Sequence, residues 1–133
     1  MSRTERSAEL YEAGWSLLDA GDVPGAIERF QESIQAAPHY KTLELLGECF
    51  LKSGRLREAV VPLAAAATLN KGVRAPAILA EVFLALEQYD DAAEMAELAL
   101  HRDPKNRRAL AVMRAAVTRA LDRRSPARDV PAA

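Results

Sequence analysis

The sequence predicts an all-α fold in which about seven antiparallel helices stack in series as an α-solenoid. A motif recurs with a period of 33 residues, marked by Ala26, Ala59 and Ala92. Apolar residues within each copy recur at spacings of three and four, the period of an amphipathic helix, and no segment alternates with period two. A single helix pair of this kind does not bury its apolar face alone, so neighbouring copies are expected to share one core.

Each copy is expected to be a helix, a turn and a second helix, with small residues where the two helices cross. Gly14, Gly47 and Ala80 would face the alanines of the following helix and let the two helices approach closely, while larger residues fill the space between pairs. The residues of this packing signature are Gly14, Ala26, Phe30, Gly47, Ala59, Ala80, Ala92 and Pro104.

Glycine and proline positions set the predicted helix ends. The helices are expected at about residues 7–20, 24–36, 40–53, 57–69, 74–86, 90–101 and 105–122. Gly21 and Gly54 mark turns, because glycine adopts the left-handed conformation at a helix end without a Cβ clash. Pro24 suits a helix start, where a missing N–H is tolerated. Pro62 lies inside the fourth predicted helix and is expected to kink it or to delay its start.

The chain has the length of one domain, 133 residues. Residues 7–122 are predicted as the repeat domain, with repeats at about 7–39, 40–72 and 73–105 and a capping helix at 105–122. Residues 1–6 form a short polar N-terminal segment, and residues 123–133 are predicted to be a disordered basic tail.

The third copy carries the sharpest likeness to a known family. It reads Tyr89-Asp90-Asp91-Ala92-Ala93-Glu94 and closes with Ala99-Leu100-His101-Arg102-Asp103-Pro104-Lys105-Asn106. The chain thereby resembles a tetratricopeptide repeat protein with three repeats and a C-terminal capping helix. The resemblance implies a right-handed superhelix. The first helix of each pair would line its concave groove, and in the family that groove binds a peptide or helix of a partner protein.

Carrying the groove positions over by register gives a predicted partner-binding set. It comprises Tyr11, Trp15, Leu18, Lys41, Glu44, Leu45, Glu48, Leu51, Arg74, Ile78 and Glu81. Tyr11 and Trp15 are one helical turn apart and share a face. These residue types are enriched among binding hot spots, so they are candidate anchors for a partner. The alternative is that they only cover the open end of the first helix pair.

Three groove carboxylates, Glu44, Glu48 and Glu81, are expected to meet in the middle of the groove. They would form an acidic stripe that selects a basic or amphipathic ligand. The alternative is a solvated face balanced by the nearby cations Lys41, Lys52 and Arg74.

Charge is distributed unevenly along the chain. Residues 1–100 hold 9 Lys/Arg and 16 Asp/Glu, whereas residues 101–133 hold 9 and 3. From Lys105 onwards the basic residues of the C-terminal end are Lys105, Arg107, Arg108, Arg114, Arg119, Arg123, Arg124 and Arg128. They lie around the helix without base-stacking aromatics, which favours the solvated face of a capping helix over nucleic-acid binding.

No pattern in the sequence indicates catalysis, a metal or a cofactor. His39 and His101 have no partner at metal-ligand spacing, and the glycines do not form a phosphate-binding loop. Cys49 is the only cysteine, so a disulfide framework is excluded and a cytoplasmic setting is expected. No run approaches the roughly 18–20 apolar residues of a membrane span, and the segment at residues 1–7 does not resemble a secretory signal.

The function expected from the sequence is therefore a non-catalytic adaptor that binds a peptide or amphipathic helix of another protein. Three alternatives stay open: a bacterial secretion-type chaperone for an export substrate, a scaffold that self-associates weakly, and, less favoured, nucleic-acid binding through the basic end. The family's clamp for the C-terminal tails of heat-shock chaperones is not expected, since only Arg74 fits its pattern.

Overall fold

The computed structural model describes residues 1–124, which form seven α-helices and, in this part of the chain, no strand. They are α1 (Arg3–Asp19), α2 (Val23–Ala36), α3 (Tyr40–Lys52), α4 (Leu56–Leu69), α5 (Arg74–Ala85), α6 (Tyr89–Arg102) and α7 (Arg107–Arg124). The predicted all-α solenoid is confirmed. None of these seven helices is both long and apolar enough to cross a bilayer.

The helices pack as consecutive hairpins. The pairs α1/α2, α3/α4 and α5/α6 make the most extensive contacts, and α7 closes the array against α5 and α6. The first helices also touch in series, α3 against α5 and α5 against α7. This serial contact brings the first helices side by side along one face of the molecule.

At the crossing of the two helices in each repeat, a small residue on the first helix faces one residue on the second helix, and the sizes of these two residues change together from repeat to repeat. A Cβ atom added at Gly14 would lie 2.5 Å from the Phe30 ring, and one added at Gly47 would overlap Leu63. The third repeat has Ala80 and Ala96 at the corresponding positions, both fully buried in one core cluster. A Cβ is therefore accommodated at this crossing where the opposing side chain is also small.

The turns inside the hairpins share one backbone conformation. Gly21 and Gly54 have φ of 86° and 74°, and Glu87, 33 residues further on, has φ of 62°. The third turn therefore holds a side chain where the other two have glycine, and this left-handed conformation is strained for a non-glycine residue.

The helix ends differ from the prediction in three places. α1 begins at Arg3, inside the predicted polar segment, because the Ser2 hydroxyl caps it by accepting the Glu5 N–H at 3.1 Å. α4 begins at Leu56 and continues through Pro62, so the delayed start is not observed. α7 extends to Arg124, and the remainder of the predicted disordered tail, residues 125–133, lies outside the described residues.

Candidate functional site

The groove face contains two adjoining depressions that share Tyr11 and Lys41. One, of about 270 Å³, is lined by side chains of α1, α3 and α5, namely Tyr11, Trp15, Lys41, Glu44, Leu45 and Arg74. The other, of about 390 Å³, lies between α1 and the turn that joins α2 to α3, with Ala8, Pro38 and Thr42 in its wall. Six of the residues predicted for the groove thus surround one depression.

The aromatic pair is divided between core and surface. The Tyr11 ring is tilted against Phe30 at a centroid distance of 6.1 Å, which anchors it to the core. Trp15, one turn further along α1, is 39% exposed. Of the two, Trp15 offers the larger surface to a partner, and its role as an anchor stays a prediction.

The apolar residues assigned to the groove differ in burial. Leu18 and Leu51 are partly exposed, whereas Leu45 is buried. Ile78 is completely buried in the core cluster that also holds Leu45, so it presents no surface to a partner. Its placement in the groove is corrected: α5 is covered on both sides, by α3 and by α7.

The acidic pair in the middle of the groove is engaged by an arginine of the same chain. Arg108 donates from Nε and Nη2 to the two carboxylate oxygens of Glu81, both at 2.7 Å. It also donates from Nη1 and Nη2 to the two oxygens of Glu48, both at 3.0 Å. The Arg74 Nη2 atom also lies 3.8 Å from the Glu48 Oε1 atom. The carboxylates that suggested a basic ligand therefore already have a cationic partner.

Burial and ion pairing act in opposite directions on these carboxylates. Burial raises the pKa of Glu44, against the opposing effects of Arg74 and Lys41 and a hydrogen bond from the Ala75 backbone. Burial also acts to raise the pKa of Glu48, but the hydrogen bonds and charge of Arg108 outweigh it and hold the pKa of that carboxyl below its ordinary value.

Cations lie outside the carboxylates in the groove. The Glu48 and Glu81 side chains are 13% and 30% exposed, whereas the Arg74 side chain is 53% exposed. Lys41 is exposed and Glu44 is buried. Among the side chains that line the depression beside Trp15, the exposed charges are therefore the cations Lys41 and Arg74, although the sequence suggested an acidic stripe.

Sequence reasoning missed the role of Arg108. It assigned this residue to a solvated basic end, since the partners Glu81 and Glu48 lie 27 and 60 residues away in the chain. The only signal was positional: residue 108 is 33 residues after Ala75, a buried α5 residue that packs beside Leu43 of α3. By register, residue 108 should likewise face the preceding repeat.

The remaining reactive side chains have structural positions. The His39 Nδ1 atom accepts the Lys41 N–H at 3.2 Å and so caps α3. Cys49 is buried, and burial raises the pKa of its thiol, which disfavours a nucleophile. Within residues 1–124, no group of three or more His, Cys, Asp or Glu side chains is placed to hold a metal ion.

The outer side of α7 combines exposed arginines with an apolar row. Leu110, Val117 and Leu121 are exposed and follow one another at spacings of seven and four. Because α7 is the last described helix, this row lies where a further repeat would pack in a longer solenoid.

The fold and the lined groove define a helical-repeat protein. The family model of the tetratricopeptide repeat matches residues 11–75. Together with the seven-helix architecture and the structural similarities below, this match shows that the described chain has the tetratricopeptide repeat fold, with three helix pairs and a C-terminal capping helix. No curated protein matches the sequence significantly.

Solved structures with the same fold have low sequence identity to this chain. The tetratricopeptide repeat domain of Sgt2 from Aspergillus fumigatus has a TM-score of 0.83 at 17% identity, covering 99% of this chain and 89% of that one. The first such domain of Spaghetti (RPAP3), bound to the HSP90 peptide SRMEEVD, has a TM-score of 0.82 at 20% identity. The match covers 90% of this chain and 95% of that one. The TPR2B domain of yeast Sti1, in a pHsp70 complex, has a TM-score of 0.78 at 20% identity. The match covers 86% of this chain and 98% of that one.

Proposed function

We propose that this protein is a non-catalytic adaptor that binds a peptide or helix of a partner protein in its concave groove. The observation that carries the proposal is the exposed indole of Trp15 beside a depression built by α1, α3 and α5. One structurally similar domain, that of RPAP3, is named as bound to an HSP90 peptide, and another, from yeast Sti1, is named in a pHsp70 complex.

The groove has the chemistry of a modest protein-binding surface. Trp15 supplies a large, rigid contact of low conformational entropy, and Tyr11 beside it is already fixed by Phe30. The apolar area is small, so affinity would depend on a few anchors rather than on buried area. An extended segment or a single helical turn could place a side chain in either of the two depressions.

A random peptide library displayed on phage tests this proposal without knowledge of the natural partner. We expect enrichment of a shared motif on the wild-type protein and at least a tenfold loss of affinity for it in Trp15→Ala. Val61→Ala is the matched control, since Val61 is an exposed apolar residue on α4, a helix that does not line the groove. Equal binding by wild type and Trp15→Ala would contradict the groove assignment.

A secretion-type chaperone would be a narrower form of the same function. It would hold an extended segment of an export substrate in the same groove, and co-purification with an unstable exported protein would favour it. We propose a cytoplasmic setting for either form, supported by the single free cysteine, Cys49.

Self-association is a second candidate, favoured by the apolar row Leu110, Val117 and Leu121 on α7. Light scattering at low and high salt tests it. A concentration-dependent dimer that Val117→Glu abolishes would support it, and a monomer under all conditions would exclude it. Nucleic-acid binding through the basic end has less support, because Arg108 is engaged in the groove.

A further inference from the structure

We infer that Arg108 sets the charge preference of the groove: with Arg108 in place, the groove favours acidic segments of a partner over basic ones. The inference rests on the proposed function, and it specifies the chemistry of the partner. Its starting point is the four hydrogen bonds that join Arg108 of α7 to Glu48 of α3 and Glu81 of α5.

The guanidinium of Arg108 occupies the position that a ligand's cation would take. Its planar fork meets each carboxylate with two hydrogen bonds, the geometry in which arginine binds carboxylates most strongly. A basic ligand would have to displace Arg108 from both partners. The displaced guanidinium, only 35% exposed, would then be left without its carboxylates beside the incoming cation. Basic ligands therefore gain little here.

The outward charges beside this network are those of Lys41 and Arg74. Both line the depression next to Trp15. Glu44 lies beneath them and is buried, and burial disfavours its charged form. The exposed carboxylates that register assigns to this side are Glu12 and Asp19, both on α1. An acidic segment would thus cross α3 and α5 near Lys41 and Arg74, with an apolar side chain against Trp15.

The test compares the peptides that the wild-type protein and Arg108→Gln enrich from one phage library. We expect the wild type to enrich peptides with Asp or Glu beside an apolar residue, and Arg108→Gln to enrich peptides with Lys or Arg there. Two synthetic peptides that differ only by Glu or Lys at that position then give a ratio of affinities. We expect this ratio to shift about tenfold between the two proteins at low salt, and less at high salt.

Two further variants separate the charge effect from a loss of structure. In the triple variant Arg108→Gln, Glu48→Gln, Glu81→Gln, the two carboxylates that Arg108→Gln leaves without a partner are also removed. The preference for acidic peptides should therefore return. Glu48→Gln with Glu81→Gln alone frees Arg108 and should strengthen acidic binding several-fold. This double variant carries the test if Arg108→Gln does not unfold cooperatively in circular dichroism.

The outcomes distinguish this inference from the proposed function. Peptide binding that depends on Trp15 but keeps one charge preference in all Arg108, Glu48 and Glu81 variants would overturn the inference and leave the groove function standing. A library that enriches no peptide on the wild-type protein would contradict the proposed function, and the inference would fall with it.

Discussion

The left-handed residue Glu87 yields a stability prediction that can be worked out from the backbone. Its φ of 62° corresponds to 86° and 74° at Gly21 and Gly54 in the first two repeats. For a residue with a Cβ, this conformation costs roughly 1–2 kcal/mol. Glycine removes that cost, but its greater freedom in the unfolded chain returns roughly 0.5–1 kcal/mol. Glu87→Gly should therefore stabilise the protein by about 0.5–1 kcal/mol.

Urea unfolding followed by circular dichroism measures this difference, which corresponds to about 2–4 °C in Tm for a chain of this size. Glu87→Gln is the matched control: it removes the charge beside Asp90 and Asp91 but keeps the strained side chain. We expect Gln to leave the free energy of unfolding within about 0.3 kcal/mol of wild type. If Glu87→Gly is neutral or destabilising, or if Gln stabilises equally, backbone strain at this turn is refuted as the cause.

Three other substitutions probe the core and the groove. Gly47→Ala should cost about 1–3 kcal/mol in urea unfolding, because the new Cβ overlaps the buried Leu63 side chain. The same substitution should cost less when it is introduced into a chain that already carries Leu63→Ala. Arg108→Gln should cost about 1 kcal/mol at pH 7 after screening. Because the pKa of Glu48 is lowered in the fold, its contribution is present above the ordinary value of 4.5 and is lost as pH falls further, so the cost of Arg108→Gln should shrink in acid. Glu44→Gln should stabilise the protein slightly at pH 7 and lose this advantage below about pH 4.5, because burial raises the pKa of Glu44 and disfavours its charged form.

The fold was predictable because its determinants are local and repeated. The spacing of Ala26, Ala59 and Ala92 reports a packing constraint that each hairpin must satisfy separately, so one chain supplies three observations of it. The start of α1 was harder to predict, since it depends on one hydrogen bond between the Ser2 hydroxyl and the Glu5 backbone. The periodicity of apolar residues does not locate a helix end to within one or two residues, so it could not predict a start set by a single capping hydrogen bond.

The candidate site was only partly predictable. The repeat register assigns a residue to one face of its helix, but it does not show which residues of other helices that residue contacts. Register brought Trp15, Lys41 and Arg74 to one depression. It misplaced Ile78, whose burial depends on helices packed on both sides of α5. It also could not show that Arg108 crosses from α7 to two carboxylates, since this contact depends on how three helices sit relative to one another.

The network around Arg108 links the position of the capping helix to the charge of the groove. The same four hydrogen bonds tie α7 to α5 and α3 and also place one positive charge between the carboxylates of Glu81 and Glu48. A change in how α7 packs would therefore alter the groove's charge without any substitution in the groove itself. Conversely, a ligand that drew Glu48 away from Arg108 would weaken the hold on α7. In this short solenoid the capping helix would accordingly be part of the proposed binding surface, and truncation before Arg107 should alter ligand charge preference as well as stability.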